Sequence, residues 1–237
     1  MKLSTQNFPN RTGQIRILLV EDHPFTRIGM RHFLDGLSDM RVCGEASEPR
    51  DVMLQLASKE FDLVISDLNL PGKGGLELIK DIHALHPQLP VLVVSMYDEP
   101  QFAPRVLRAG ARGYLMKNES ADVVASAIRE VIRGRLVVSE RMSSLILDIF
   151  AGKQSVEVSV PEARLSDREV EILLLLGSAQ GTRSIAQRLS ISMKTVEAHR
   201  TNIRRKLGLP SSQELLRYAV CWVAESGRGS RSLAVSA

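Results

Sequence analysis

Residues 62–75 read DLVISDLNLPGKGG, an apolar run that meets an acid and is then interrupted. Residues 63–65 are all apolar, Asp67 follows them, and Pro71 and three glycines come next. Ordinary β-strands are depleted in Asp. The stretch therefore predicts a buried strand that ends at a loop, with a carboxylate that either caps the turn or takes part in chemistry.

Four more short apolar runs lie around this one, at residues 15–20, 41–43, 91–94 and 114–116. The segments between them place apolar residues at i, i+3, i+4 and i+7, which is the spacing of an amphipathic helix. Strands that alternate with helices predict an α/β fold with a doubly wound, five-stranded parallel sheet of the flavodoxin-like type. The runs IRILLV and VLVV lack polar alternation, as strands covered on both faces do.

The alternating pattern stops near residue 136, and the charge balance changes later in the chain. Residues 1–161 carry 19 Lys and Arg against 20 Asp and Glu, whereas residues 162–237 carry 12 against 7. A neutral first part and a basic second part indicate that the second part meets a polyanion. A chain of 237 residues is long enough for two domains.

The second part reads as helical throughout. Ser166 and Glu169 form a predicted capping box before one helix, and Ser211 and Glu214 repeat that pattern before the last one. We expect five regions. They are a flexible tail over residues 1–14, the sheet domain over 15–136, a linker with one helix over 137–161, a small all-α domain over 162–225 and a disordered tail over 226–237.

Nothing in the sequence predicts export or a membrane span. The polar N-terminus lacks the apolar segment of a signal peptide, and no run approaches the roughly 18 apolar residues of a membrane helix. Cys43 and Cys221 are two isolated thiols without the spacing of a metal site. These features predict a reduced, cytoplasmic protein.

Polar residues follow the predicted strands at the edge where an open α/β sheet binds its ligands. Glu21 and Asp22 end the first strand, Asp67 the third, Ser95 the fourth and Lys117 the fifth. Three clustered carboxylates repel one another unless a cation lies among them, and oxygen ligands suit Mg²⁺. One carboxylate could then attack a phosphoryl group whose oxygens a lysine and a serine hydroxyl would hold.

Each of these residues also has a simpler role when it is considered alone. Asp22 could cap the following helix, Asp67 could form an Asx-turn, and Lys117 could be a solvated side chain. The occurrence of all five positions at strand ends favours the phosphoryl site.

Residues 15–134 resemble the receiver domain of bacterial two-component response regulators. The matching motifs are LLVEDHP, ISDLNLPGKGG, VVSMYDE and GYLMK. The resemblance implies that a histidine kinase phosphorylates Asp67 and that Asp22 and the Asn69 carbonyl join Asp67 around Mg²⁺. Glu21 stands where many members have Asp, which keeps the acidic pair intact and implies an outer place in the metal site.

The same resemblance assigns a switch to two further residues. Ser95 and Tyr114 correspond to the hydroxyl and aromatic switch positions, which respond to the phosphoryl group by turning inward. An alternative is a phosphatase of the haloacid-dehalogenase type, which uses Asp-x-Asp after a strand. Its second acid transfers a proton, and Asn69 cannot do so. We therefore predict a regulator and not an enzyme.

Residues 184–208 read SIAQRLSISMKTVEAHRTNIRRKLG, which predicts a helix-turn-helix. A short helix, a turn at residues 190–192 and a longer basic helix follow one another. Val196, Ile203 and Leu207 would face the core of this domain. The opposite face would hold Lys206 and the candidate DNA contacts, which are Lys194, Thr195, Glu197, Ala198, Arg200, Thr201, Arg204 and Arg205.

Within the basic helix, recognition of bases would come from the N-terminal half. This nominates Glu197, Ala198 and Thr201 as base readers, with Glu197 facing a cytosine amino group. The alternative for Glu197 is an intrahelical pair with Arg200. A solvated amphipathic helix or an RNA-binding helix are the alternatives for the segment as a whole.

Residues 162–224 resemble the LuxR-type helix-turn-helix, and the whole chain resembles a response regulator of the NarL/FixJ family. This implies double-stranded promoter DNA as a partner, a homodimer that forms on phosphorylation, and RNA polymerase as a further candidate partner. One feature departs from the family. Its usual glycine before the first helix of the motif is displaced to Gly181 in residues 179–183, which puts phosphate contacts from that loop in doubt.

Overall fold

The computed structural model describes residues 13–150 and 161–226, and its first domain is the predicted parallel sheet. The strands are β1 (Ile15–Val20), β2 (Met40–Ala46), β3 (Leu63–Ser66), β4 (Val91–Ser95) and β5 (Gly113–Met116). Their order across the sheet is β2-β1-β3-β4-β5, and every neighbouring pair is parallel. The prediction of a doubly wound, five-stranded sheet is confirmed.

Helices cover both faces of this sheet. They are α1 (Pro24–Asp35), α2 (Pro49–Ser58), α3 (Gly75–Leu85), α4 (Glu99–Arg108) and α5 (Ala121–Ile132). α1 and α5 pack on one face, where Leu34 and Ile128 are fully buried, and α2, α3 and α4 pack on the other. Every residue of β3 and β4 is buried, which explains why these strands read as unbroken apolar runs.

A linker helix, α6 (Glu140–Phe150), follows the sheet domain. It begins after Ser139, whose backbone N–H donates to the Glu99 carboxylate over 2.7 Å. The helix that we expected in the linker is therefore present. Most of the predicted tails and residues 151–160 of the linker lie outside the described residues, so these predictions stay untested.

The second domain consists of α7 (Asp167–Gly177), α8 (Thr182–Arg188), α9 (Met193–Lys206) and α10 (Ser212–Ser226). The capping box at the start of α7 forms as predicted, because the Ser166 hydroxyl accepts from Glu169 N and the Glu169 carboxylate accepts from Ser166 N. At α10, the Ser211 hydroxyl accepts from Glu214 N over 3.2 Å. Local hydrogen bonds thus define where these helices begin.

The two domains dock closely, which the sequence analysis did not predict. Apolar residues of α7 and α8 join the core that lies under α3 and α4. Arg105 of α4 forms an ion pair with Asp167 over 2.9 Å and donates to two backbone carbonyls beside it. The Phe102 ring meets Trp222 of α10, with ring centroids 6.0 Å apart.

The displaced glycine has a structural consequence at the end of α7. Ala179 occupies the left-handed region with φ +58°, whereas Gly181 precedes α8 with φ −76°. The left-handed conformation costs a residue with a Cβ about 1–2 kcal/mol. The turn after α7 therefore forms without a glycine at its left-handed position, and Ala179 is strained there.

We expect Ala179→Gly to raise the free energy of unfolding by about 0.5–1 kcal/mol, because glycine relieves the strain but gains more entropy on unfolding. Thermal unfolding measured by calorimetry gives the comparison. The same substitution at Ala198, an exposed position within α9, should lower the free energy of unfolding by about 1 kcal/mol. A loss of stability at both sites would contradict the assignment of strain to Ala179.

Candidate functional site

Three of the predicted side chains meet in a buried bridge at the carboxyl edge of the sheet. Lys117, after β5, places its Nζ atom 2.8 Å from Asp67 Oδ2 and 2.6 Å from Glu21 Oε2. Both carboxylates are buried. Burial alone would lower the pKa of the Lys117 ammonium, but the charges and hydrogen bonds of the two acids raise it above its usual value. The lysine is therefore charged and fixed between the acids.

Asp67 holds the turn after β3, which is one of the two roles that its sequence position suggested. Its backbone N–H continues the sheet by donating to Val20 O over 3.0 Å. Its Oδ1 atom accepts from Leu68 N over 2.7 Å, so the side chain also holds the turn after β3. The local hydrogen bond and the lysine together fix the orientation of the carboxylate.

The acidic residues fit a hard divalent cation. Glu21, Asp22, His23 and Asp67 each offer one ligand atom, and these atoms all lie within 4.8 Å of one another. Asp22 Oδ1 is buried and accepts no hydrogen bond from the described residues, although His23 Nδ1 lies 2.8 Å away. A buried oxygen without a hydrogen bond is costly. A cation bound by oxygen ligands, such as Mg²⁺, would remove that cost.

The two predicted switch residues lie next to this edge, and both are buried. Ser95 Oγ accepts from Tyr97 N over 3.4 Å, and the Tyr114 hydroxyl donates to Tyr97 O over 2.7 Å. Burial raises the pKa of the Tyr114 phenol well above its usual value. The Tyr114 ring therefore already points inward, whereas the switch assignment has it turn inward in response to the phosphoryl group.

An aromatic path connects the switch residues with the second domain. The Tyr97 ring stacks on Phe102 with centroids 4.9 Å apart, and Phe102 contacts Trp222. Because the Tyr114 hydroxyl bonds the Tyr97 backbone, a change at the switch would reach α10 through side chains in direct contact.

The second domain also contributes Arg188 to the acidic edge, a residue that the sequence analysis missed. Its Nη2 atom lies 2.8 Å from Asp22 Oδ2, 3.0 Å from Asn69 O and 3.2 Å from Asn69 Oδ1. The backbone carbonyl of Arg188 accepts from Gly72 N over 2.7 Å. No local sequence signal marks this arginine, because its place depends on how the two domains pack.

The candidate DNA-binding face lies on α9. Lys194, Thr195, Ala198, Thr201 and Arg205 are exposed there, as is Glu197, while Arg200 and Arg204 are partly buried. Val196 and Ile203 are fully buried, as predicted, and Leu207 is partly buried against the same core. The helix-turn-helix geometry therefore presents one polar and basic face to solvent.

Lys206 and Glu197 of α9 both pair with side chains of the second domain. The placement of Lys206 on the DNA-facing side was wrong, because its Nζ atom pairs with the buried Glu169 carboxylate over 2.6 Å. Glu197 Oε1 accepts from Arg200 Nη1 and from the Thr182 hydroxyl, both over 2.7 Å. This is the intrahelical pair that stood as the alternative to base recognition, so the role of Glu197 as a base reader stays a prediction.

Among the residues that the structure describes, no helix is long and apolar enough to cross a membrane.

Comparisons with known proteins agree with this two-domain arrangement. The family model for the response regulator receiver domain matches residues 17–129, and the model for bacterial regulatory proteins of the luxR family matches residues 163–219. The oxygen regulatory protein NreC of Staphylococcus carnosus (strain TM300) is 34% identical over 210 residues, which cover 87% of this chain and 97% of that protein. NreC of Staphylococcus haemolyticus (strain JCSC1435) is 35% identical over the same shares.

Solved structures give the same result. The RcsB response regulator of Salmonella typhimurium is similar with a TM-score of 0.68 and 26% identity, over 89% of this chain and 98% of that one. RcsB from Salmonella enterica serovar Typhimurium, bound to the promoter rprA in the presence of the phosphomimetic BeF₃⁻, has a TM-score of 0.63 and 26% identity, over 87% of this chain and 98% of that one.

A titrating group at the domain interface leads to a prediction about pH. Glu171 of α7 lies against Gly74 of the loop before α3, and Arg168 donates to its carboxylate over 2.8 Å. Burial raises the pKa of Glu171 from 4.5 to about 7, against the effect of Arg168. The docked form therefore binds the proton of Glu171 more tightly than an undocked form would.

We expect docking to weaken as the pH rises through the range of about 4.5 to 7 and to change little above it, because the buried Glu171 carboxylate must ionise in the docked form. The radius of gyration from X-ray scattering should increase between pH 5.5 and pH 8. Glu171→Gln should remove this increase, whereas Glu140→Gln, at an exposed position of α6, should preserve it. An equal pH response in both variants would exclude Glu171 as the titrating group.

Proposed function

The chain belongs to the two-component response regulators that join a receiver domain to a LuxR-type DNA-binding domain, and on this basis we propose that a histidine kinase phosphorylates Asp67 to control promoter binding. The protein is a DNA-binding transcription regulator and not an enzyme, so the phosphatase alternative is set aside. The observation that carries the assignment of Asp67 is the partly buried ammonium of Lys117 held between Asp67 and Glu21.

The proposed reaction uses Asp67 as the nucleophile. One carboxylate oxygen attacks the phosphorus atom of a phosphohistidine, the phosphorus–nitrogen bond breaks, and its electron pair stays on the imidazole of the kinase. Lys117 and the Ser95 hydroxyl are the proposed hydrogen-bond partners of the transferred phosphoryl oxygens. Tyr114, beside them, is the proposed aromatic switch residue.

Mg²⁺ is the cofactor that this proposal requires. Asp22, Asp67 and the Asn69 carbonyl would hold it directly, with Glu21 in the outer shell. The bound ion would offset the negative charge that gathers when a phosphoryl group approaches the acids. The clustered ligand atoms and the buried Asp22 oxygen support this assignment.

Phosphorylation is proposed to favour a homodimer that binds double-stranded promoter DNA through α9. A solved structure of RcsB bound to a promoter with a phosphomimetic supports the DNA partner, and a structure of two RcsB dimers on two DNAs supports the dimer. RNA polymerase is a further proposed partner. The proposal puts the protein in the cytoplasm, where both the kinase and the promoter are accessible.

The phosphoacceptor has a direct test. Incubation of the full-length protein with a small acyl phosphate and Mg²⁺ should add one phosphoryl group, which intact-mass spectrometry detects. Asp67→Asn and chelation of the metal should each abolish the addition, since one removes the nucleophile and the other the charge compensation. Asp122→Asn, at an exposed position of α5, should be labelled like the wild type. Labelling of Asp67→Asn at an alkali-labile acyl phosphate would refute the assignment.

The DNA-binding face leads to a second test, based on two kinds of contact. Arg204→Ala and Arg205→Ala should each weaken binding to all sequences alike, because they would remove phosphate contacts. Each should also reduce the slope of the logarithm of the binding constant against the logarithm of the salt concentration by about one unit. Glu197→Ala should relax the preference at one base pair, at a cost of about 1–3 kcal/mol on the best site. Affinity measurements over a salt series and a sequence selection give these values.

Arg112→Ala serves as the control, since this arginine is exposed on the receiver domain. If Glu197→Ala leaves the selected sequence unchanged, Glu197 pairs with Arg200 and Thr182 and reads no base.

RNA binding is the remaining alternative, but residues 193–206 contain no Phe, Tyr or Trp to stack on unpaired bases. A competition assay between duplex DNA and RNA distinguishes the two kinds of binding, and we expect the protein to bind duplex DNA more tightly.

A further inference from the structure

Arg188 contacts two of the groups that the proposed metal would use. A single guanidinium nitrogen, Nη2, lies within 3.2 Å of Asp22 Oδ2 and of both oxygens of Asn69. An NH₂ group has two hydrogens, so three acceptors around it share the donors, and the arrangement resembles oxygens gathered around a cation. Two of these three oxygens belong to groups assigned to the metal, the Asp22 carboxylate and the Asn69 carbonyl.

The charges of the pocket explain why an arginine is stable there. Glu21, Asp22 and Asp67 supply three carboxylates, and Lys117 neutralises one of them through its two ion pairs. Arg188 pairs with Asp22 Oδ2 over 2.8 Å while both side chains are largely buried, and His23 Nδ1 lies 2.8 Å from the other oxygen of Asp22, Oδ1. A partly buried carboxylate is stabilised by an opposite charge at this distance.

We propose that Arg188 replaces the divalent cation in the acidic pocket, so that metal binding to the receiver and docking of the second domain compete. This inference rests on the proposed function, because it uses the metal site assigned there. An Mg²⁺ ion needs its oxygen ligands at about 2.0–2.1 Å in octahedral geometry. A divalent cation held by Asp22 and Asn69 O would lie close to the guanidinium that these same groups contact, and the two positive charges repel each other.

The backbone around Arg188 connects its side chain to the position of the whole domain. The Arg188 carbonyl accepts from Gly72 N over 2.7 Å, and Arg168 bridges Gly72 O and Leu189 O from the other side. The loop that follows Asp67 thus holds the end of α8 as well as the arginine side chain. Departure of the side chain weakens the docked form, and by linkage the docked form weakens the binding of metal by the same factor.

The competition makes a prediction about Mg²⁺ affinity in the absence of phosphorylation. Isothermal titration calorimetry of the full-length protein measures the dissociation constant for MgCl₂ directly. Arg188→Met keeps the length of the side chain and removes its charge, so it should bind Mg²⁺ about tenfold more tightly than the wild type. Arg183→Met, on the same helix at an exposed position, should bind like the wild type.

A double mutant separates the charge of Arg188 from simple coverage of the pocket by the docked domain. Arg105→Met loosens the interface elsewhere, at the ion pair with Asp167, and should tighten Mg²⁺ binding in the wild-type background. It should have no further effect when combined with Arg188→Met. If Arg105→Met raised the Mg²⁺ affinity equally in the wild type and in Arg188→Met, coverage of the pocket by the docked domain would exclude the metal. That result would overturn the role of Arg188.

The outcomes also distinguish this inference from the proposed function. Equal Mg²⁺ affinity of the wild type and Arg188→Met, with Asp67 labelled by acyl phosphate as expected, overturns the competition and leaves the phosphorylation site standing. Failure of every variant to bind Mg²⁺ overturns the metal site and the inference together. Tighter binding by Arg188→Met, with wild-type affinity in Arg183→Met, supports the competition.

Discussion

The structure depends on the repulsion among three carboxylates that a parallel sheet brings to one edge. Glu21, Asp22 and Asp67 follow adjacent strands, and the sheet cannot form without placing them together. Lys117 compensates part of this charge from the fifth strand, and Arg188 compensates a second part from the other domain. The lysine belongs to the sheet domain itself, whereas the arginine can leave when its domain moves. The pocket therefore has one permanent and one exchangeable positive charge.

Two separate routes join this pocket to the DNA-binding domain. One is electrostatic and runs through Arg188 to the end of α8. The other is a path of contacts from Tyr114 through Tyr97 and Phe102 to Trp222 on α10. A phosphoryl group on Asp67 would act on both, because it would change the charge around Arg188 and the space around Ser95 and Tyr114. Neither route blocks α9, whose polar face is exposed in the docked form.

Much of the fold and of the receiver site could be predicted from the sequence. Short apolar runs identified the five strands, and the topology of a parallel sheet then brought Asp67 and Lys117 to one edge. Arg188 could not be found in this way, because its position depends on the docking of a second domain that no local pattern records. Lys206 was misplaced for a related reason, since the buried Glu169 draws it inward. The strain at Ala179 was visible only as a displaced glycine.

If Arg188 and Mg²⁺ compete for the acidic pocket, the Mg²⁺-dependent phosphorylation of Asp67 and the docking of the second domain exclude each other. Cys43 on β2 and Cys221 on α10 are both exposed, so the native chain can carry one spin label on each domain. The distance between the labels, measured by double electron–electron resonance in labelled protein diluted with unlabelled protein, reports docking directly. We expect one narrow distance without phosphoryl donor, and a longer and broader distribution after acyl phosphate and Mg²⁺ are added. An unchanged narrow distance in fully phosphorylated protein would contradict the account.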